Sequence, residues 1–145
     1  EMCIRDRLID GDGLVLGRAA SRAAKMALLG ERVVIVNAEK MIISGGRKYI
    51  LEKYIKRRRV KNKANPEHSP KWPKRPDLLV KRIIRGMLPY KKAKGREAFK
   101  RIRVYMGPEE VKGAEKVDDP TLKPRKLRKY MTVADLSKAL SYEVL

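Results

Sequence analysis

One cysteine and one histidine stand in 145 residues. The lone cysteine, Cys3, cannot form an internal disulfide or a thiolate metal cluster, and a reducing cytoplasm is the default setting for such a chain. The lone histidine, His68, cannot build a multi-histidine metal site and suits a solvent or RNA contact. Apolar runs are short, so no membrane span is expected. The first residues lack the charged-then-apolar order of a secretory signal. Ser21, Ser44 and Ser69 have no nucleophile-elbow setting. No catalytic residue, metal or cofactor is expected from this inventory. Acidic residues are also few. Seventeen Asp and Glu face 37 Lys and Arg, a net +20. Self-repulsion of that size opposes compaction unless a polyanion neutralises it. Nucleic acid is the first choice of partner and an anionic membrane the second. The membrane is disfavoured because no basic amphipathic helix stands free of a core.

The charge is concentrated. Residues 56–103 hold nineteen Lys or Arg against three acids (Glu67, Asp77, Glu97), a net +16 that leaves +4 elsewhere. Hydrophobic residues make up 43%, too many for a disordered tail. The length suits one domain. A nearly balanced globular part therefore carries one very basic docking section.

The fold class read along the chain is α/β. Residues 1–7 show no pattern and are set aside as an unmatched leader of foreign or upstream origin, leaving 8–145 as the single domain. Leu8–Asp10 reads as a short strand. Leu16, Ala19, Ala20, Ala23, Ala24, Ala27 and Leu28 form one apolar helical stripe, ended by Gly30. Val33–Val36 is a β-branched run suited to a parallel sheet. Strand, helix, strand makes a βαβ unit with a right-handed crossover. Met41–Ile43 is a further short apolar run. A second helix carries Ile50, Leu51, Tyr54 and Ile55. Residues 60–76 form a basic, proline-rich, extended arm, expected to order only with RNA. Pro76-Asp77 opens a third helix that Pro89 ends. Lys91 to Arg101 is a basic turn and short helix. Arg103–Met106 reads as a strand and 109–124 as loop. Thr132 starts the last helix, with Val133, Leu136 and Leu140 inward.

Gly11-Asp12-Gly13 through Gly17 sits between a strand and a helix, with Glu39 ending the next strand. That arrangement raises a small nucleotide-binding enzyme as the alternative function. Three features weigh against it. The last glycine is one position out of G-x-G-x-x-G. Asp12 would face the pyrophosphate. The chain also lacks room for a substrate domain. A tight packing turn is the favoured reading.

RNA offers phosphates, 2′-hydroxyls and unstacked bases. The candidate contacts are Lys56, Arg57, Arg58 and Arg59 at a helix end, then Lys61, Lys63, Lys71, Lys74 and Arg75 on the arm. Arg82 and Arg85 lie on one helix face. Lys91, Lys92, Lys94 and Arg96 surround Gly95, where backbone can approach phosphate. Arg18 lies apart, after the first loop. Trp72, flanked by cations, either stacks on a base or packs back on the domain.

Ile84-Arg85-Gly86-Met87-Leu88-Pro89, then Gly95-Arg96, then Ile102-Arg103-Val104-Tyr105-Met106-Gly107 resembles the signature of the universal large-subunit ribosomal protein thirteen family. Ile9–Arg18 and Val34–Glu39 resemble it too, and Arg75-Pro76-Asp77 is similar to the archaeal and eukaryotic branch. The resemblance covers about residues 8–140. It implies a three-layer α/β/α fold around a small, mainly parallel four-stranded sheet. It also implies a non-catalytic structural constituent of the large ribosomal subunit in the cytoplasm, with no small-molecule substrate. Its partners would be large-subunit rRNA, bound early in assembly, and neighbouring ribosomal proteins.

Overall fold

A computed structural model of the chain describes residues 5–109 and 111–143. Strand β1 (Asp6–Asp10), helix α1 (Leu16–Leu28) and strand β2 (Arg32–Val36) form the expected βαβ unit, paired in parallel from Asp6↔Arg32 to Asp10↔Val36. Strand β3 (Ile42–Ser44) and helices α2 (Arg47–Arg59), α3 (Pro76–Gly86) and α4 (Ala93–Lys100) follow. Strands β4 (Ile102–Val104), β5 (Glu115–Lys116) and β6 (Tyr130–Thr132) and helix α5 (Val133–Glu143) complete the order. The main sheet runs β4-β2-β1-β5 with every pairing parallel. The α/β class and the small parallel four-stranded sheet are as expected.

The helices are not spread evenly over its faces. Ile9, Val33, Ile35 and Ile102 share one face by register and are fully buried. Helices α1, α3 and α4 supply the helical contacts on the sheet. The opposite face carries half-buried Leu8 and Val34 beside exposed Arg32 and Arg103. There Tyr105, Glu109 and Val111 share a cleft of ≈ 540 Å³ with those strands. Arginines at alternate positions make this face poor ground for an apolar helix. Helices α2 and α5 pack on each other instead. They bury Ile50, Tyr54, Leu136 and Leu140 beside β3 and β6, which pair antiparallel.

Alanine sets the position of α1. Ala19, Ala20, Ala23 and Ala27 are fully buried, and the lack of bulk lets α3 and α4 lie close. The Arg101 guanidinium donates to the Ala27 carbonyl (3.0 Å), joining the Gly30 amide (3.1 Å) there and placing a cation at the negative end of α1. Thr132 Oγ1 accepts from the Asp135 amide (3.2 Å), which caps α5 where that helix was expected to start.

Several boundaries differ from expectation. Strand β1 includes Asp6 and Arg7, where the sequence pattern places a leader. Arg7 bridges Glu31 (3.2 Å) and Glu115 (2.8 Å), and Asp6 pairs with Arg32 (3.0 Å). Ion pairs, not apolar alternation, hold this end of the strand. Residues 1–4, including Cys3, lie outside the described residues. The fourth strand is Ile102–Val104 rather than Arg103–Met106, although the Tyr105 amide still donates to Ile35 (2.8 Å). Residues 109–124 are not all loop. They contain β5, two charged residues on the sheet edge, and a turn at Pro120–Leu122.

Candidate nucleic-acid interface

The glycine loop is stitched to its own fold. The Gly11 amide donates to Val36 (2.8 Å), Gly13 to Lys40 (3.3 Å), Leu14 to Gly11 (3.1 Å) and Val15 to Leu122 (3.0 Å). A β-carbon on Gly11 would lie 2.8 Å from Met41 Cγ and 2.9 Å from the Val36 carbonyl. The glycine is required by close packing of chain on chain. Asp10 Oδ1 accepts from Asn37 Nδ2 (2.8 Å) and the Asp12 amide (3.1 Å). The Asn37 bond holds the Asp10 carboxyl below its usual range, against burial. Glu39, the candidate ribose ligand, accepts the Gly107 amide (3.0 and 3.2 Å). Five loop amides and the carboxylates of Asp10 and Glu39 are thus committed internally, and the loop is a packing turn.

The basic section comes together around Trp72. Its ring packs edge-on to Tyr54, with centroids 6.2 Å apart at 77°. The Arg57 and Arg82 guanidiniums lie 4.8 and 4.5 Å from the ring centroid. Arg58 donates to the Trp72 carbonyl. Of the two placements open for Trp72, packing on the domain is the one observed. Each cation–π contact contributes about 0.5–2 kcal/mol depending on desolvation. Together they tie the arm's return to the end of α2.

Beyond this knot the arm is open. Lys61, Lys63 and Lys71 are exposed. The tip closes on itself, with the Asn62 amide donating to Ser69 Oγ (2.8 Å) and Asn62 Oδ1 accepting from Ala64 (3.1 Å). Lys74 is half-buried and its carbonyl accepts from Ser137 Oγ (2.6 Å). Arg75 pairs with Asp77 (2.9 Å). Lys56 and Arg59 are exposed and flank a shallow cleft with Lys48 and Ile55.

A second concentration lies beside α3. Arg85 sits 4.1 Å from the Tyr90 ring centroid. A cleft of ≈ 430 Å³ is lined by Arg82, Arg85, Leu88, Tyr90, Lys91 and Lys92 among others. Lys94 and Arg96 are exposed on α4, where the Arg96 guanidinium donates to the Lys91 carbonyl (3.3 Å). Gly95 corrects an expectation. It is buried in α4, and its missing β-carbon admits the Pro89 carbonyl rather than a phosphate. Tyr90 was missed by the sequence reading, although it stands beside Lys91-Lys92 much as Trp72 stands beside its cations. Arg18 is not part of this cluster. It donates to the carbonyls of Thr121 (3.1 Å) and Lys123 (3.4 Å) on another surface.

The electrostatics are one-sided. Within 56–103 the only ion pair among the described residues is Arg75–Asp77. Burial first, then the charges of Arg85 and Arg57, lowers the Arg82 guanidinium from its ordinary range. Cations held this close without acids store repulsion that a polyanion relieves.

Trp72→Ala tests the knot. It is expected to expose the arm to trypsin between Lys61 and Lys74 and to cost about 2 kcal/mol, less than a fully buried tryptophan. An unchanged digestion pattern would contradict the packing role.

The family profile described as ribosomal protein L13 matches residues 5–111. The large ribosomal subunit protein uL13 of Methanocaldococcus jannaschii is 49% identical over 135 residues, covering 92% of this chain and 96% of that one. The protein of the same name from Archaeoglobus fulgidus is 42% identical over 139 residues, covering 93% and 87%. The Methanosarcina barkeri counterpart is 44% identical over 137 residues, covering 92% and 96%.

Proposed function

The chain belongs to the ribosomal protein L13 family, and on that premise we propose that it binds large-subunit rRNA through residues 56–103 and supports assembly of the subunit. Its family is one of ribosomal structural proteins, not enzymes, and its place is in the cytoplasmic ribosome. Within the large subunit it takes rRNA and neighbouring ribosomal proteins as partners. Arg57, Arg82 and Arg85, crowded together without a carboxylate, carry the reading. Such a cluster is costly for a free protein and favourable against a phosphate backbone. The arm lysines and the Lys91, Lys92, Lys94 and Arg96 group extend the same potential outward. Exposed Tyr90 offers a flat surface for an unstacked base.

The test is binding to large-subunit rRNA fragments, with NADH as a parallel ligand. Tight, fragment-selective RNA binding without an NADH response is expected. Saturable NADH binding with only unselective RNA attraction would overturn the proposal.

A further inference from the structure

A second basic surface lies outside residues 56–103. Residues 123–129 read Lys-Pro-Arg-Lys-Leu-Arg-Lys, five cations without an acid. Both ends of this strap are fixed. Before it, the turn Pro120–Leu122 is closed by Asp119 Oδ1, which accepts from the Thr121 amide (3.0 Å) and hydroxyl (2.7 Å). Leu122 is buried, and its carbonyl accepts from the Val15 amide (3.0 Å). At the far end the Lys129 carbonyl accepts from the Gly45 amide (3.0 Å).

The strap begins beside the outer face of α1. Arg18, Ser21, Arg22 and Lys25 are exposed there, opposite the buried alanine stripe. Their spacing at i, i+3, i+4 and i+7 is one helical face about 10 Å long. The Arg18 bonds to Thr121 and Lys123 join the face to the strap. Between them lies an open cleft of ≈ 480 Å³ lined by Arg18, Arg22, Lys25, Thr121 and Arg125, with Asp119. Four cations thus meet one carboxylate. That carboxylate is already engaged by Thr121, and its other oxygen lies 4.0 Å from Arg22 Nε. Among the described residues, the side chains of Lys25, Arg125, Lys126 and Arg128 make neither an ion pair nor a hydrogen bond. None of the residues lining this cleft lines the Arg82–Lys92 cleft.

We propose that the outer face of α1 and the 123–129 strap form a second phosphate-backbone site, through which the chain grips a stretch of RNA separate from the one held by residues 56–103. The proposal rests on the rRNA-binding reading. The chemistry asked of the ligand is repeated phosphate at strand spacing. The cleft is open, and four of its lining side chains are cations against the single carboxylate of Asp119.

The test uses the full chain with Lys25, Arg125, Lys126 and Arg128 all replaced by alanine, probed with rRNA fragments that wild type binds. These side chains hold nothing in the fold, so the thermal melt is expected to stay in place. The slope of log affinity against log salt should fall by roughly 2–4, at 0.7–0.9 per lost phosphate contact. A footprint on the RNA should disappear that a Lys61, Lys63 and Lys71 alanine variant retains. An unchanged slope and footprint, with wild type binding normally, would overturn the second site alone. Wild type that fails to bind rRNA would overturn the underlying reading and this one with it.

Discussion

Gly95→Ala is expected to destabilise the chain by about 3 kcal/mol or more, at the upper end of what overpacking costs. A β-carbon there would stand 2.0 Å from the Pro89 carbonyl oxygen, 2.3 Å from its carbon and 2.9 Å from the Tyr90 nitrogen. These are backbone atoms, so no rotamer change relieves the clash. Neither side is free to retreat. Leu88, just before the turn, is buried, as is Ala98 one helical turn after Gly95. The turn itself is closed by bonds from the Lys92 amide to Pro89 (2.9 Å) and from Gly95 to Lys92 (3.1 Å). Gly86→Ala is the control. It lies in the last turn of α3 with nothing within 4 Å of the added carbon, and it should stabilise by about 0.5–1 kcal/mol. Denaturant melts compare the two. A Gly95→Ala variant that melts like wild type would show that α4 does not sit on the Pro89 turn as described.

The largest functional effect is expected from six lysines, Lys61, Lys63, Lys71, Lys91, Lys92 and Lys94. All are exposed. Replaced together by alanine, they should lower rRNA affinity on the order of a hundredfold or more near physiological salt, with the salt slope falling by about one per lost phosphate contact. Stability should hold or rise, because removing like charges relieves self-repulsion. Replacing Arg57, Arg58 and Arg59 together is a less clean test than their sequence position suggests. Arg57 stacks on Trp72 and Arg58 holds its carbonyl, so that variant also frees the arm. Unchanged affinity in the six-lysine variant, read by filter binding, would remove the arm tip and the 90–94 turn from the interface.

The parts of the fold legible in the sequence are those with strong apolar periodicity. The alanine stripe of α1 and the β-branched run of β2 left little choice, and the βαβ unit followed. The polar pieces were not legible. Strand β5 is Glu115-Lys116, and the start of β1 is Asp6-Arg7. Ion pairs and edge pairing define both, and neither leaves a hydrophobic pattern. Strand β6 escaped because its partner β3 is 86 to 90 residues away, in the register Ile42↔Thr132 to Ser44↔Tyr130. At the candidate site, cation density located the basic section, but composition does not say what each cation touches. Trp72 and Tyr90 looked alike in sequence, as aromatics beside lysines. Only packing separates the one half-buried between two arginines from the one that carries a single arginine and stays exposed. The strap at 123–129 was diluted, because its charge was averaged with the acids elsewhere outside 56–103.

The proposed function requires that the stored repulsion of residues 56–103 be released on a phosphate backbone. The most direct measurement is the affinity of the wild-type chain for a selectively bound large-subunit rRNA fragment from about 0.05 to 0.2 M salt. The prediction is a straight log–log fall with a steep slope, on the order of −5 or beyond, as several phosphates are neutralised. An affinity that stays flat across that range would contradict it, since binding would then owe little to the cations on which the proposal rests.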